Sequence, residues 1–228
     1  DPENLAARIR LLSYYTQYTI HPELRSAHLS WLIEHHPDSD VFQLGGVATG
    51  IVPDYSSVNS PAIERARALW LQQTERYPAN PMVLANAATV LGGRDAPITL
   101  DLVRRTRAAE PGNPEWVDWL SAIYASAVRS SFAGGRPTVR TGSGKSAHVG
   151  FYLPLIESRL LKSELEASSD AALVGGTAEE LLRETALLKN SQFSNGSEIQ
   201  ASEAFGKQML LRAQELDPQN PRWKTVKP

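Results

Sequence analysis

Cysteine is absent from this 228-residue chain, and several other signs of a defined chemistry are missing with it. Without a thiol the chain forms no disulfide, no thiolate metal site and no cysteine nucleophile. No apolar run approaches the roughly 18 residues that a bilayer-spanning helix requires, so the sequence predicts no membrane span. It also holds no glycine-rich dinucleotide fingerprint and no serine in a nucleophile elbow. We therefore expect no cofactor, no catalytic residue and no enzymatic activity.

An excess of charge of one sign is missing as well. The chain carries 23 Lys and Arg against 25 Asp and Glu, and its net charge is -2. A surface that binds nucleic acid needs a basic face to neutralise phosphates, so this balance argues against nucleic acid as the main partner. The 42% hydrophobic and 21% charged fractions are those of a folded soluble protein.

Four of the five histidines cluster near the N-terminus without forming a metal site. His21, His28 and His35 follow one another at intervals of seven residues, which is about 10.5 Å along a helix. A single metal ion needs ligands three or four residues apart on a helix. His35 and His36 fit instead the end of a helix, where the dipole favours cationic side chains. The sequence predicts no bound metal.

The segment 133–150 is basic and rich in glycine, and it holds no acidic residue. Its stretch Gly142-Ser-Gly144-Lys145-Ser146 is similar to the end of a phosphate-binding loop. That motif requires glycine where this chain has Val139, and it requires a buried strand before it. We expect a long loop or a weak hairpin here. One alternative function stays open, which is an all-α enzyme or a small-ligand or anion-binding protein with its site at this loop.

The chain does have a succession of amphipathic helical segments, nine or ten in number, with no convincing central strand. The sequence therefore predicts the all-α class. Three of the helical segments end alike, at Pro78-Ala-Asn80-Pro81, Pro111-Gly-Asn113-Pro114 and Pro218-Gln-Asn220-Pro221. Pro78 and Pro111 are 33 residues apart, a period typical of stacked helical hairpins. Residues 168–176 are predicted as a break, and Thr177 with Glu180 as the capping box of the next helix.

The segment 61–124 resembles tetratricopeptide repeats (TPRs), whose pattern is W-x2-L-G-x2-Y, then A-x3-F, then P. Ala66-x3-Trp70 with Pro78 matches the second half of this pattern at the right spacings. Val117-x2-Leu120-Ser121-x2-Tyr124 represents the first half. Looser copies are Leu84-x2-Ala87-Ala88-x2-Leu91, Thr99-x3-Val103 with Pro111, Gly206-x3-Leu210 with Pro218 and Arg25-x3-Leu29 with Pro37. The resemblance implies stacked antiparallel helix pairs in a right-handed TPR-like α–α superhelix with irregular inserts.

We expect one helical-repeat domain over residues 1–228, with Trp70, Leu84, Leu120 and Tyr124 buried between its layers. Its predicted parts are the N-terminal helices 1–44, an insert 45–60, the best TPR-like core 61–132, the Gly-rich basic loop 133–150 and the C-terminal helices 151–228. The chain opens at Asp1 without an initiator Met. This slightly favours export, to the periplasm or outside the cell, over the cytoplasm.

The resemblance also implies a function, that of a non-catalytic scaffold that binds a protein or peptide on the face lined by the first helix of each repeat. The predicted partner-binding residues are Met82, Ala85, Thr89, Glu115, Asp118 and Ala122. They lack the Lys, Arg and Asn of the subclass that grips acidic C-terminal tails, so an apolar or basic ligand fits them better. The other interpretation left open is that they are solvated helix faces or contacts to a neighbouring repeat.

Overall fold

The computed structural model describes residues 4–18, 20–43, 61–92, 96–134, 154–189 and 196–225. Within these ranges the chain forms ten α-helices and one short 3-10 helix, and no strand. The predicted all-α class is confirmed. Of the helices described, none has the length and apolarity that crossing a membrane requires. The predicted insert 45–60 lies outside the described residues, and so does all but the start of the loop 133–150, with the alternative site placed there.

The contacts divide the chain into two compact units, residues 1–110 and residues 111–228. The first unit contains α1 (Leu5–Gln17), α2 (Pro22–His35), the 3-10 helix (Asp40–Gln43), α3 (Pro61–Arg76), α4 (Pro81–Leu91) and α5 (Ala96–Ala109). The second contains α6 (Pro114–Phe132), α7 (Leu155–Ala167), α8 (Ala171–Leu188), α9 (Gly196–Leu216) and α10 (Pro221–Thr225). The predicted single repeat domain over the whole chain stays a prediction.

Three helices begin at the recurring Asn-Pro pair, because the asparagine caps the helix that the proline opens. The side-chain oxygen of Asn80 accepts from the backbone N–H groups of Met82 and Val83 at 3.0 and 3.2 Å. The equivalent oxygens of Asn113 and Asn220 each accept from the second residue after them, at 3.0 and 3.1 Å. Such caps satisfy donors that have no partner inside the helix, and proline loses nothing at the first helical position. The repeated sequence signal thus sets the starts of α4, α6 and α10.

In the first unit, α4 packs against α3, α5 and the 3-10 helix. Trp70 of α3 is fully buried, with its ring edge to face against Phe42 of the 3-10 helix. Asn86 is fully buried on α4, and its side-chain amide donates to the carbonyls of Pro37 and Ser39 at 2.9 and 2.8 Å. These bonds hold the 3-10 helix and the turn before it against α4, since a buried amide needs its partners.

In the second unit, α6 packs against α7 and α8, and α8 packs along α9. A buried ion pair joins α6 to α8, with Arg129 Nη1 at 2.8 Å from Glu184 Oε2. Leu120 and Tyr124 of α6 are buried, as are Trp70 and Leu84 of the first unit. The predicted burial of all four is therefore confirmed.

The predicted break at 168–176 is confirmed only over residues 168–170, and the prediction for residues 171–176 is wrong. Helix α8 begins at Ala171, capped by Asp170, whose side-chain oxygen accepts from the N–H of Leu173 at 3.1 Å. Thr177 is fully buried inside this helix, and its hydroxyl donates to the carbonyl of Leu173, so it starts no capping box. The glycine pair that suggested a break, Gly175 and Gly176, lies in the helix interior because neighbouring side chains fill the space of the missing Cβ atoms.

Candidate functional site

The surface of the second unit carries an open groove between α6 and α8, which we call the α6–α8 groove. Its volume is about 260 Å³. The residues that line it are Asp118, Ser121 and Ala122 of α6, Gly176, Glu179, Glu180 and Arg183 of α8, and Arg222 of α10. The α6 residues recur at spacings of three and four and the α8 residues likewise, so each helix presents one face to the groove.

The floor of the groove is made of small residues. Ser121 and Ala122 are buried, and a Cβ added to Gly176 would overlap the Ser121 hydroxyl oxygen. The missing Cβ therefore lets α6 and α8 approach closely at this level. Ser121 is only 2% exposed, and its hydroxyl has no hydrogen-bond partner among the described residues. The floor thus contains one polar atom whose bonding capacity is unused within the described part of the chain.

Arg222 reaches across one end of the groove and joins two carboxylates. Its Nη2 lies 3.1 Å from Asp118 Oδ1 and 2.7 Å from Glu179 Oε2, and its Nε donates to Glu179 Oε2 at 2.8 Å. The hydrogen bond to Glu179, helped by that to Asp118, raises the pKa of the Arg222 guanidinium above its ordinary value. Arg222 therefore stays charged and holds the two acidic walls together. We call the space between Asp118 and Glu179 the acidic notch.

A second ion pair lies along α8. Arg183 donates from Nε and Nη2 to the two carboxylate oxygens of Glu180, at 2.9 and 2.5 Å. The hydrogen bond to Glu180 raises the pKa of Arg183. With three carboxylates and two guanidinium groups, the lining has one acidic group in excess. Both pKa shifts act on groups that are already protonated, so the arginines supply charge and directed donors and no proton transfer.

Two of the predicted partner-binding residues, Asp118 and Ala122, line the groove. Glu115 is exposed one turn earlier on α6, and it is not among the lining residues. The three predicted residues on α4 belong to the first unit, with Met82 half-buried and in contact with Gln43 of the 3-10 helix. Ala85 and Thr89 are buried, and the Thr89 hydroxyl donates to the Ala85 carbonyl at 3.0 Å. Both side chains belong to the packing of α4 in the first unit.

Sequence reasoning missed most of the charged lining. Glu179, Glu180 and Arg183 escaped because α8 was expected to start only at Thr177. Arg222 could have been predicted from the sequence, because it directly follows an Asn-Pro pair. Met82 and Glu115 occupy the same position after the two earlier Asn-Pro pairs. That register assigns Arg222 to the same face of a first helix as two residues that were predicted.

No group of His, Asp and Glu residues in the described ranges is arranged to hold a metal ion. The N-terminal histidines make ring contacts instead, with His28 stacked on Tyr15 and His35 on Trp31. His28 Nδ1 lies 3.4 Å from Arg8 Nη1. Burial, and then the charge of Arg8, lower the pKa of His28 below its ordinary value.

Comparisons of the chain with protein-family models, with curated proteins and with solved structures give no match.

Proposed function

We propose that this protein is a non-catalytic, TPR-like scaffold that binds an extended peptide or a protein segment in the α6–α8 groove. The observation that carries the proposal is the groove itself, an open surface between α6 and α8 with a floor of small residues and walls of charged ones. In the proposed architecture, α4, α6, α8 and α10 are first helices of successive pairs, stacked as a right-handed superhelix. The asparagine caps that recur at α4, α6 and α10 support this assignment.

The chemistry of the groove suits an extended chain. Small floor residues let a peptide backbone approach closely, and the unused Ser121 hydroxyl offers it a hydrogen-bond partner. The charged walls supply electrostatic complementarity, which mainly sets specificity and the rate of association. An open groove of this kind excludes little water, so it favours recognition over a reaction that needs a closed site.

The proposal is tested by selecting random dodecapeptides on the full-length chain and measuring their affinity for two charge-reversed variants. Asp118→Lys changes a groove wall, and the matched control Glu115→Lys makes the same charge change one turn earlier on the same helix, outside the lining. Both side chains are exposed, and circular dichroism checks that both variants fold.

We expect Asp118→Lys to weaken the binding of the selected peptides by tenfold or more, because it replaces a carboxylate of the groove wall with a cation. The Glu115→Lys variant should bind within about twofold of the wild type, since rim charges outside a contact act only through screened, long-range attraction. Selection that yields no peptide, or equal weakening by both variants, would rule out the groove as the binding site.

A further inference from the structure

We infer that Arg222 occupies the position that an arginine side chain of the bound peptide takes. In this inference, which rests on the proposed function, the acidic notch between Asp118 and Glu179 is a guanidinium-binding site, and the bound peptide places an arginine side chain there after Arg222 has moved aside.

The geometry of the notch matches a guanidinium group. Nη2 of Arg222 contacts one carboxylate on α6 and another on α8, while Nε contacts the second of them, all within 3.1 Å. A planar guanidinium presents several N–H donors in a fixed fork, whereas an ammonium group is a single compact charge. The notch therefore selects arginine over lysine. Asp118 and Arg222 are 104 positions apart in the sequence, so this is a tertiary contact, assembled in the same manner as a contact to a separate chain.

The Arg222 side chain can leave the notch while its helix stays folded. It is 43% exposed, and the side chains of its partners Asp118 and Glu179 are 54% and 24% exposed. Its guanidinium carbon also lies 5.1 Å from the centre of the Trp223 ring. Ion pairs this close to the surface contribute little to stability. Helix α10 is held instead by Trp223, which is 1% exposed and packs against Gly175. An incoming arginine replaces the same ionic contacts, so the exchange leaves neither carboxylate unpaired.

The floor of the groove supplies an independent sign of a ligand. The Ser121 hydroxyl is buried in the lining, and it has no hydrogen-bond partner among the described residues. A buried polar group without a partner is costly, and a ligand that donates or accepts a hydrogen bond there would remove the cost. Arg183 is paired separately, since its Nε and its Nη2 donate to the two carboxylate oxygens of Glu180.

The test uses the full chain and two tripeptides, acetyl-Gly-Arg-Gly-amide and its citrulline counterpart, which has nearly the same shape and no charge. NMR follows the Nε–H signals of Arg222 and Arg183 as each tripeptide is added. The arginine tripeptide should shift the Arg222 signal towards that of free arginine and leave Arg183 unchanged. The citrulline tripeptide should move neither signal.

Arg222→Ala should then bind the arginine tripeptide about fivefold more tightly. The variant lacks the Arg222 side chain, which competes with the tripeptide for the acidic notch through an exposed ion pair. Backbone amide signals of Ser121 and Gly176 report this binding. The matched control is Arg159→Ala, which removes an exposed arginine from α7, outside the groove lining. Its affinity should equal that of the wild type. Equal or weaker binding by Arg222→Ala, or binding of the citrulline tripeptide as tight as that of the arginine one, would overturn the inference.

The two proposals fail separately. If selected dodecapeptides bind the groove but carry no arginine and do not compete with the arginine tripeptide, the guanidinium site is wrong and the scaffold stands. If the arginine tripeptide binds in the notch while no dodecapeptide can be selected, the guanidinium site stands without a peptide groove. A preference of the wild type for acidic peptides that is lost in Arg222→Ala would show instead that Arg222 itself contacts the partner, and it would overturn the inference.

Discussion

The indole ring of Trp223 occupies the space that Gly175 leaves by having no side chain. A Cβ built on Gly175 would lie only 2.6 Å from two atoms of the ring. This contact fixes the short helix α10 on α8, and it thereby places Arg222 at the acidic notch. The glycine is required for its small size, since it lies inside a helix where glycine is otherwise unfavourable.

Replacing Gly175 with alanine should therefore destabilise the second unit. Overlap with a rigid indole costs about 1–3 kcal/mol, and the better helix propensity of alanine offsets up to roughly 1 kcal/mol of it. Urea unfolding, followed by tryptophan fluorescence, measures the change. Gly196→Ala is the matched control, because a Cβ at Gly196 meets nothing within 4 Å. A Gly175→Ala variant as stable as the wild type would show that Trp223 is not tightly seated.

The buried pair between Arg129 and Glu184 makes a second prediction. Both side chains are 5% exposed, and Glu198 lies 3.9 Å from the Arg129 guanidinium. Arg129→Met leaves Glu184 buried without its cation, which should cost about 3–5 kcal/mol of unfolding free energy. The double variant Arg129→Met with Glu184→Leu should be more stable than Arg129→Met alone. A double-mutant cycle in urea checks this, and simple additivity of the two losses would contradict the pairing.

His28 should make the stability of the first unit depend on pH. Its pKa is lowered in the folded state, first by burial and then by Arg8, so the unfolded chain binds the proton more readily. The stabilisation is present above the ordinary value of 6.5 and is lost as the pH falls from there through the folded pKa. An NMR titration of the His28 ring should give a midpoint below 6.5, and Arg8→Gln should raise it. A midpoint at or above the ordinary value would contradict the burial of His28, and an unchanged midpoint in Arg8→Gln would contradict the placement of Arg8 beside it.

The fold followed from the sequence wherever a local signal and the tertiary packing agree. The Asn-Pro pairs predicted the starts of α4 and α6, because a cap acts within three residues. The third pair starts α10 in the same way, and this short helix was not predicted. The glycine pair in α8 suggested a break in the helix. Glycine is needed at these two positions because the side chains of Trp223 and Ser121, which are distant in sequence, fill the space of the missing Cβ atoms. Packing of this kind overrides intrinsic helix propensity.

The candidate site could be predicted only in part, for the same reason. The repeat register placed Asp118 and Ala122 on an open face, and the structure has them in the groove lining. The same register placed Ala85 and Thr89 on such a face, yet both are buried in the first unit, where α4 packs against α3, α5 and the 3-10 helix. No local sequence pattern predicts the ion pair between Glu179 and Arg222, because this pair depends on how α8 and α10 pack.

The proposal that the α6–α8 groove receives a peptide is tested most directly by mapping its contacts in solution. A dodecapeptide selected on the protein is added to ¹⁵N-labelled chain, and the backbone amide shifts are recorded. We predict that the largest changes fall on the residues around Asp118, Ala122, Glu179 and Arg183. Changes confined to another surface, such as the exposed Ile156 and Leu160 of α7, with the groove signals unmoved, would contradict the account.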